Sequence, residues 1–223
     1  MARAGGYIVL NLKAYAESTG KEAVRLAKIA DEASREMGVK VIVCAQATDL
    51  AAVSSSVKIP VFAQHVDAKK PGAFTGSIIP EAVKAAGANG TLINHSERKL
   101  PLEVVGATVA RCKEAGLLSM VCAATVDECA AVAKFGPDFI AIEPPELIGS
   151  GISVSTANPD IVRNSVAAVR KVANISVLCG AGISTGADIK KAMELGAAGV
   201  LLASAYAKAK DPKKLLIEMA RNV

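Results

Sequence analysis

Short, continuous apolar runs rich in Val, Ile and Leu recur along the chain at Tyr7–Leu12, Val39–Cys44, Ile59–Ala63, Gly90–Ile93, Leu117–Cys122, Phe139–Ile142, Ile175–Cys179 and Gly199–Leu202. They lack the strict alternation of a strand with one wet face, so each reads as a strand buried on both faces. Between them lie longer segments rich in Ala, Lys and Glu with helical periodicity: Lys21–Met37, Leu102–Ala115, Pro159–Val172, Thr185–Leu195 and Pro212–Ala220. Pro101 precedes the second of these, and Gly38, Gly87, Gly116, Gly136 and Gly196 each stand where a helix must stop shortly before the next apolar run. The alternation predicts parallel strands joined by crossover helices. Eight such units without a linker, composition break or low-complexity segment predict one α/β domain over residues 1–223, a closed (β/α)8 barrel rather than a doubly wound sheet.

Composition adds an expectation about assembly. Apolar residues are 52% of the 223 and the mean hydropathy is +0.37, enough for a large core and a subunit interface, so a homo-oligomer is expected. The formal charge of +5 leaves two readings open, an anionic polymer or a field that draws small anions. Lys and Arg interleave with Asp and Glu, as at Lys21-Glu22 and Arg35-Glu36, and the basic cluster Lys208 to Lys214 holds no aromatic residue. With aromatics at 3% and no Trp, a nucleic-acid partner is disfavoured. Five cysteines without a C-x-x-C pair read as small buried residues in a reducing cytoplasm. The first apolar run is too short for a signal peptide or a membrane span, so neither export nor a membrane partner is expected, and the sequons at Asn94 and Asn174 read as coincidence.

In a barrel of this kind chemistry gathers where the strands end, and the residues there are polar. Asn11-Leu12-Lys13 closes the first run, Asn94-His95-Ser96-Glu97 follows the fourth, Glu143 the sixth, Gly180-Ala181-Gly182 the seventh and Ala203-Ser204 the eighth. The last two turns run into helix starts, where free N–H groups favour a phosphate, although a plain tight turn is the bland alternative. Their spacing does not fit a dinucleotide fingerprint. Glu143 directly after a buried strand should be desolvated and hence more basic, fit to take a proton from carbon, against the alternative of a cap or salt bridge. His95 opens a helical segment whose dipole disfavours the protonated ring, which would leave neutral imidazole to donate to a carbonyl oxygen. His65 reads as a core residue. Lys13 suits an anion or a developing enediolate, and also an ion pair with Glu97. Residues Pro144 to Ile152 look like a lid between hinges, or a plain surface loop. Together these groups point to a small phosphorylated carbonyl compound.

Asn11-Leu12-Lys13, Gly72-Ala73-Phe74-Thr75-Gly76, Asn94-His95-Ser96-Glu97-Arg98, Glu143-Pro144 with Ile148-Gly149-Ser150-Gly151, and the paired phosphate turns occur in the order found in one family. Over essentially its whole length the chain resembles triosephosphate isomerase, and the compact length with Pro144-Pro145-Glu146-Leu147 resembles the archaeal branch. That resemblance implies a TIM barrel interconverting dihydroxyacetone phosphate and glyceraldehyde 3-phosphate in glycolysis and gluconeogenesis, with no metal and no organic cofactor. It makes Glu143 the base and places His95, Asn11 and Lys13 at the enediolate, with Glu97 in the same set. The phosphate falls to Ile148, Gly149, Gly182, Ala203 and Ser204. Thr75 would cross a two-fold interface beside the neighbour's Asn11 and His95, making a dimer the active minimum and a tetramer the archaeal expectation. Two motifs depart from the family: Ala203-Ser204 replaces Gly-Gly, and Cys179-Gly180-Ala181-Gly182 replaces Tyr-Gly-Gly-Ser, so side chains that latch the closed lid elsewhere are missing. Competing readings are a Schiff-base aldolase, which would want a Lys deep at a central or late strand where none stands, a thiamine-pathway synthase, and a non-catalytic sugar-phosphate-binding barrel.

Overall fold

Each of the eight apolar runs contributes a strand: β1 (Tyr7–Asn11), β2 (Lys40–Ala45), β3 (Val61–Ala63), β4 (Gly90–Ile93), β5 (Leu118–Ala123), β6 (Phe139–Ile142), β7 (Ser176–Cys179) and β8 (Gly199–Leu202). The computed structural model describes residues 6–144, 147 and 153–223. All neighbouring strands are parallel, and β8 pairs with β1 to close a barrel in sequence order. Helices pack around it: α1 (Lys21–Met37), α2 (Leu50–Ser54), α3 (Pro80–Ala85), α4 (Leu102–Ala115), α5 (Val126–Ala133), α6 (Val154–Ala157), α7 (Pro159–Val172), α8 (Gly186–Glu194), α9 (Ser204–Ala207) and α10 (Pro212–Ala220).

Both strand faces are apolar because they face two different cores. Val9, Ile42, Cys44, Phe62, Leu92, Met120, Leu178 and Leu201 fill the barrel interior. Their neighbours Ile8, Leu10, Val41, Val43, Ile93 and Val121 point outward to the helices. The period of two is intact, but a polar face never appears, which is why the runs read as unbroken. Helix α1 answers with Ala23, Leu26, Ala27, Ala30 and Ala33 on one buried stripe, its small side chains bringing the helix close to the sheet. The Tyr206 hydroxyl, buried beneath it, donates to the Leu26 carbonyl at 2.7 Å.

Several runs begin one residue later as strands than as apolar segments, for a local reason. Gly38 and Gly116 end α1 and α4 in the left-handed conformation, and the next residue donates back into the helix: Val39 N–H to the Ser34 carbonyl and Leu117 N–H to the Cys112 carbonyl. These are Schellman closures, so Val39 and Leu117 finish a helix before the strand starts. At β3 the delay is longer because Pro60 has no N–H to give the ladder.

Candidate active site

All strands point their C-terminal ends to one mouth, and the residues there surround a cavity of about 250 Å³ whose lining includes Asn11, Lys13, His95, Glu143, Gly182 and Ser204. Ala203 shares this lining, while Glu97 stands one step outside it, joined to Lys13. Thr75 lies elsewhere, exposed on the long loop after β3. Ile148 and Gly149, with most of the 144–152 loop, fall outside the described residues.

Asn11 is the last residue of β1 and only 5% exposed. Its Oδ1 accepts from the Lys13 N–H at 3.0 Å and from Gln64 Nε2 at 3.2 Å, and the residue lines the cavity. Lys13 has a φ of 52°, a left-handed conformation that a side chain as long as lysine adopts only under constraint. The constraint is visible: Gln64 Nε2 also donates to the Lys13 carbonyl at 3.0 Å, and Lys13 Nζ is held by Glu97 Oε1 at 2.7 Å. Sequence reasoning passed over Gln64, whose role depends on two loops meeting in space.

His95 precedes a single 3-10 turn, Ser96–Arg98, rather than a full helix, so the dipole it was expected to feel is small. A direct contact replaces it. The Glu97 N–H donates to His95 Nδ1 at 3.2 Å, which requires an unprotonated Nδ1 and puts the ring proton on Nε2. Nε2 then stands 3.9 Å from Glu143 Oε1, as a neutral donor facing the cavity. His65 is buried and bonded to Asp67 at 3.2 Å, where Asp67 also accepts the Ile78 N–H at 2.7 Å. Burial holds the His65 imidazole below its usual value, against the pull of Asp67, and the pair braces the base of the β3 loop.

Glu143 leaves β6 with its N–H bonded to the Ala123 carbonyl at 2.8 Å and its side chain folded inward, 6% exposed. Burial pushes its carboxyl above the ordinary range, with His95, the neighbouring Cys122 thiol and Lys13 opposing, and Glu97 adding to the rise. A neutral His95 weakens the first of these opposing effects and leaves burial dominant. Among the described residues, Glu143 Oε2 has no hydrogen-bond partner although it is buried. A desolvated carboxylate beside an Nε2–H donor and an ammonium group is a base poised against an electrophilic pair.

Gly180 makes room for this base. A Cβ there would lie 2.7 Å from Glu143 Cγ, so the glycine read from sequence as part of a phosphate turn also serves as the floor under Glu143. Gly182, with a φ of 67°, then turns the chain toward α8, whose start is closed by the reciprocal bonds of Thr185 and Asp188. The turns at Gly182 and at Ala203-Ser204 border the same cavity as His95 and Glu143. Among the described residues no three His, Cys, Asp or Glu side chains converge as metal ligands would.

The family model described as triosephosphate isomerase matches residues 6–222. Three triosephosphate isomerases of methanogens are similar throughout: that of Methanothermus fervidus is 53% identical over 95% of this chain and 96% of its own. That of Methanothermobacter thermautotrophicus is 51% identical over 97% and 95%, and that of Methanocaldococcus jannaschii 47% identical over 96% and 98%. A closed eight-stranded barrel with a buried carboxylate and a neutral imidazole at its mouth, matched end to end by these relatives, belongs to the triosephosphate isomerase family.

Proposed function

We propose that the chain interconverts dihydroxyacetone phosphate and D-glyceraldehyde 3-phosphate by proton transfer through an enediolate, serving glycolysis and gluconeogenesis in the cytoplasm. The observation that carries the mechanism is the pairing of Glu143, buried and basic, with the Nε2–H of His95 across a cavity that also holds Lys13. Glu143 takes a proton from C1 of the ketone; the C–H electrons form the C1–C2 double bond, and the carbonyl pair moves to the C2 oxygen. His95 Nε2–H, the Asn11 amide and the Lys13 ammonium meet that developing charge. The Nε2–H proton of His95 passes to the C2 oxygen and Nε2 recovers one from the C1 hydroxyl; as that O–H pair forms the aldehyde C=O, the C1–C2 double-bond pair takes the proton from Glu143 at C2. Backbone N–H groups at Gly182, Ala203 and Ser204 hold the phosphate, while Glu97 keeps Lys13 in place; Ile148 and Gly149, assigned to the same phosphate by the family resemblance, lie outside the described residues. The test is a coupled assay of the purified protein on glyceraldehyde 3-phosphate, run in both directions. Phosphate binding without turnover would instead support a non-catalytic barrel.

Gly180 offers a sharper check on the base. In Gly180→Ala the new Cβ meets Glu143 Cγ, so the carboxylate must shift while the fold is kept. We expect kcat to fall about 10- to 100-fold with a nearly unchanged melting temperature, since small misplacements of a reacting group cost rates of that order. An unaltered kcat would show that Glu143 acts from another position.

The active form is a homo-oligomer, at minimum a dimer and by the archaeal likeness a tetramer. Support comes from the β3 loop, where Thr75 is exposed beside Phe74, itself 45% exposed, and from a groove of about 340 Å³ lined by Lys13, Gln64, His65 and Glu97 that a second copy's loop would enter. Thr75→Arg is expected to reduce the mass seen by light scattering to that of a monomer and to depress activity with it. An unchanged mass would refute the placement of this loop. Among the described residues no helix is long and apolar enough to cross a membrane.

A further inference from the structure

His95 is aimed by a turn whose anchors lie behind it, in a network that the proton transfer does not use. Asn94, between β4 and His95, has a φ of 61° and is 2% exposed. Asparagine tolerates that conformation better than most residues, yet it persists only where the surroundings enforce it. The enforcement is complete here. Asn94 Nδ2 donates to the Cys122 carbonyl at 2.9 Å and to Glu128 Oε1 at 2.9 Å, while Oδ1 accepts the Leu100 N–H at 2.9 Å.

Glu128 is the centre of the arrangement. It sits three residues after Thr125, the N-cap of α5, where a glutamate ordinarily reaches back to the N-cap N–H. Its Oε2 instead accepts the Ala124 N–H at 2.7 Å, and its Oε1 accepts from both Asn94 and Lys99 Nζ, the latter at 2.5 Å. One carboxylate thus joins the end of β4, the chain just past the His95 turn and the end of β5. The same β5 end touches the base, because the Ala123 carbonyl receives the Glu143 N–H, and Cys122 lines the same small cavity as Glu143.

We propose that Glu128 is a positioning residue, whose carboxylate locks the left-handed turn at Asn94 and so sets where the Nε2–H of His95 stands relative to Glu143. The inference rests on the reading above that His95 and Glu143 are the reacting pair. Glu128→Gln keeps the shape but replaces one acceptor oxygen by a donor NH2, which must face the Ala124 N–H or the Asn94 amide and Lys99. One cross-link is lost either way.

The chain has only two histidines, so 15N-labelled histidine gives an NMR spectrum in which His95 can be followed against His65. In Glu128→Gln we expect the His95 nitrogen signals to move away from the single tautomer with an unprotonated Nδ1, while those of His65 stay in place. We expect kcat to fall about 10- to 100-fold with KM for glyceraldehyde 3-phosphate and inhibition by inorganic phosphate little changed. Thr125→Ala is the control: it removes the bond from the Glu128 N–H to Thr125 Oγ1 at the same helix start and should lower stability without moving kcat or the His95 signals. In an Asn94→Gly background, which frees the turn of strain and of its links, Glu128→Gln should have no further effect on either readout. Unchanged His95 signals and kcat in Glu128→Gln, or an undiminished effect in the Asn94→Gly background, would overturn the proposal and leave Glu128 a helix cap. Should the parent protein lack isomerase activity, the functional reading falls, while the histidine signals still decide the positioning role.

Discussion

Glu143→Gln is expected to lower the isomerisation rate by about three to four orders of magnitude, the share a positioned base supplies, with inorganic phosphate still bound and the fold intact. Near-normal turnover would refute the mechanism. The pH behaviour follows from the same environment. Because burial raises the carboxyl above its ordinary value of 4.5, kcat/KM should fall on the acid side at a pH above that value, as the base takes up its proton. The sign for stability runs the other way. A carboxyl raised on folding favours the folded state while protonated, below about pH 4, and that contribution is lost as pH rises through the folded value. At neutral pH the ionised Glu143, with Oε2 buried and unpartnered among the described residues, is therefore a cost to folding. Glu143→Gln should melt above the parent protein at pH 7 and show no gain below about pH 4. A parent that is the more stable at neutral pH would mean that Lys13 and His95 outweigh burial.

The second large effect concerns the closing seam of the barrel. Gly199 pairs with Tyr7 where β8 meets β1, and a Cβ on it would lie 2.2 Å from the Tyr7 carbonyl oxygen and 2.6 Å from its nitrogen. Its φ of 156° is a further obstacle to any side chain. Backbone cannot swing aside as a side-chain end can, so Gly199→Ala must part the two strands. We expect a loss of about 4 kcal/mol, read as a lower midpoint in urea, which is a large fraction of the stability of an ordinary domain. Turnover per folded molecule should change little, since Tyr7 opens β1 at the end of the barrel opposite the mouth. An unmoved midpoint would show that the seam yields. The contrast with Gly180→Ala is instructive: both glycines exclude a Cβ, one for the sake of a ladder and the other for the sake of a base.

Much of this was readable from one dimension. The apolar runs, the helices between them and the glycines that stop those helices specify eight βα units, because local periodicity and backbone stereochemistry act within a few residues. Lys21–Met37, Leu102–Ala115, Pro159–Val172 and Pro212–Ala220 form helices over the very spans their periodicity and punctuation predict. Strand starts were less legible, since Val39 and Leu117 are apolar whether they pair in a sheet or close a helix. The residues at the strand ends could be named, but their alternatives stayed open, because a carboxylate's environment is made by segments far away in sequence.

Tertiary structure decided what those residues are to one another. It set Glu143 against Gly180 and Cys122, gave the His95 ring its tautomer through the Glu97 N–H rather than through a helix dipole, and joined Lys13 to both Glu97 and Gln64. Glu128 shows the division plainly. The Thr125-to-Glu128 spacing is a capping signal that the sequence carries, but the bonds to Asn94 and Lys99 arise only when β4 and β5 lie side by side. The sequence by itself determined the barrel and the polar residues around its rim, since pattern and turn chemistry are local. Distances, burial and proton positions awaited closure of the barrel, because they are properties of pairs brought together from opposite ends of the chain.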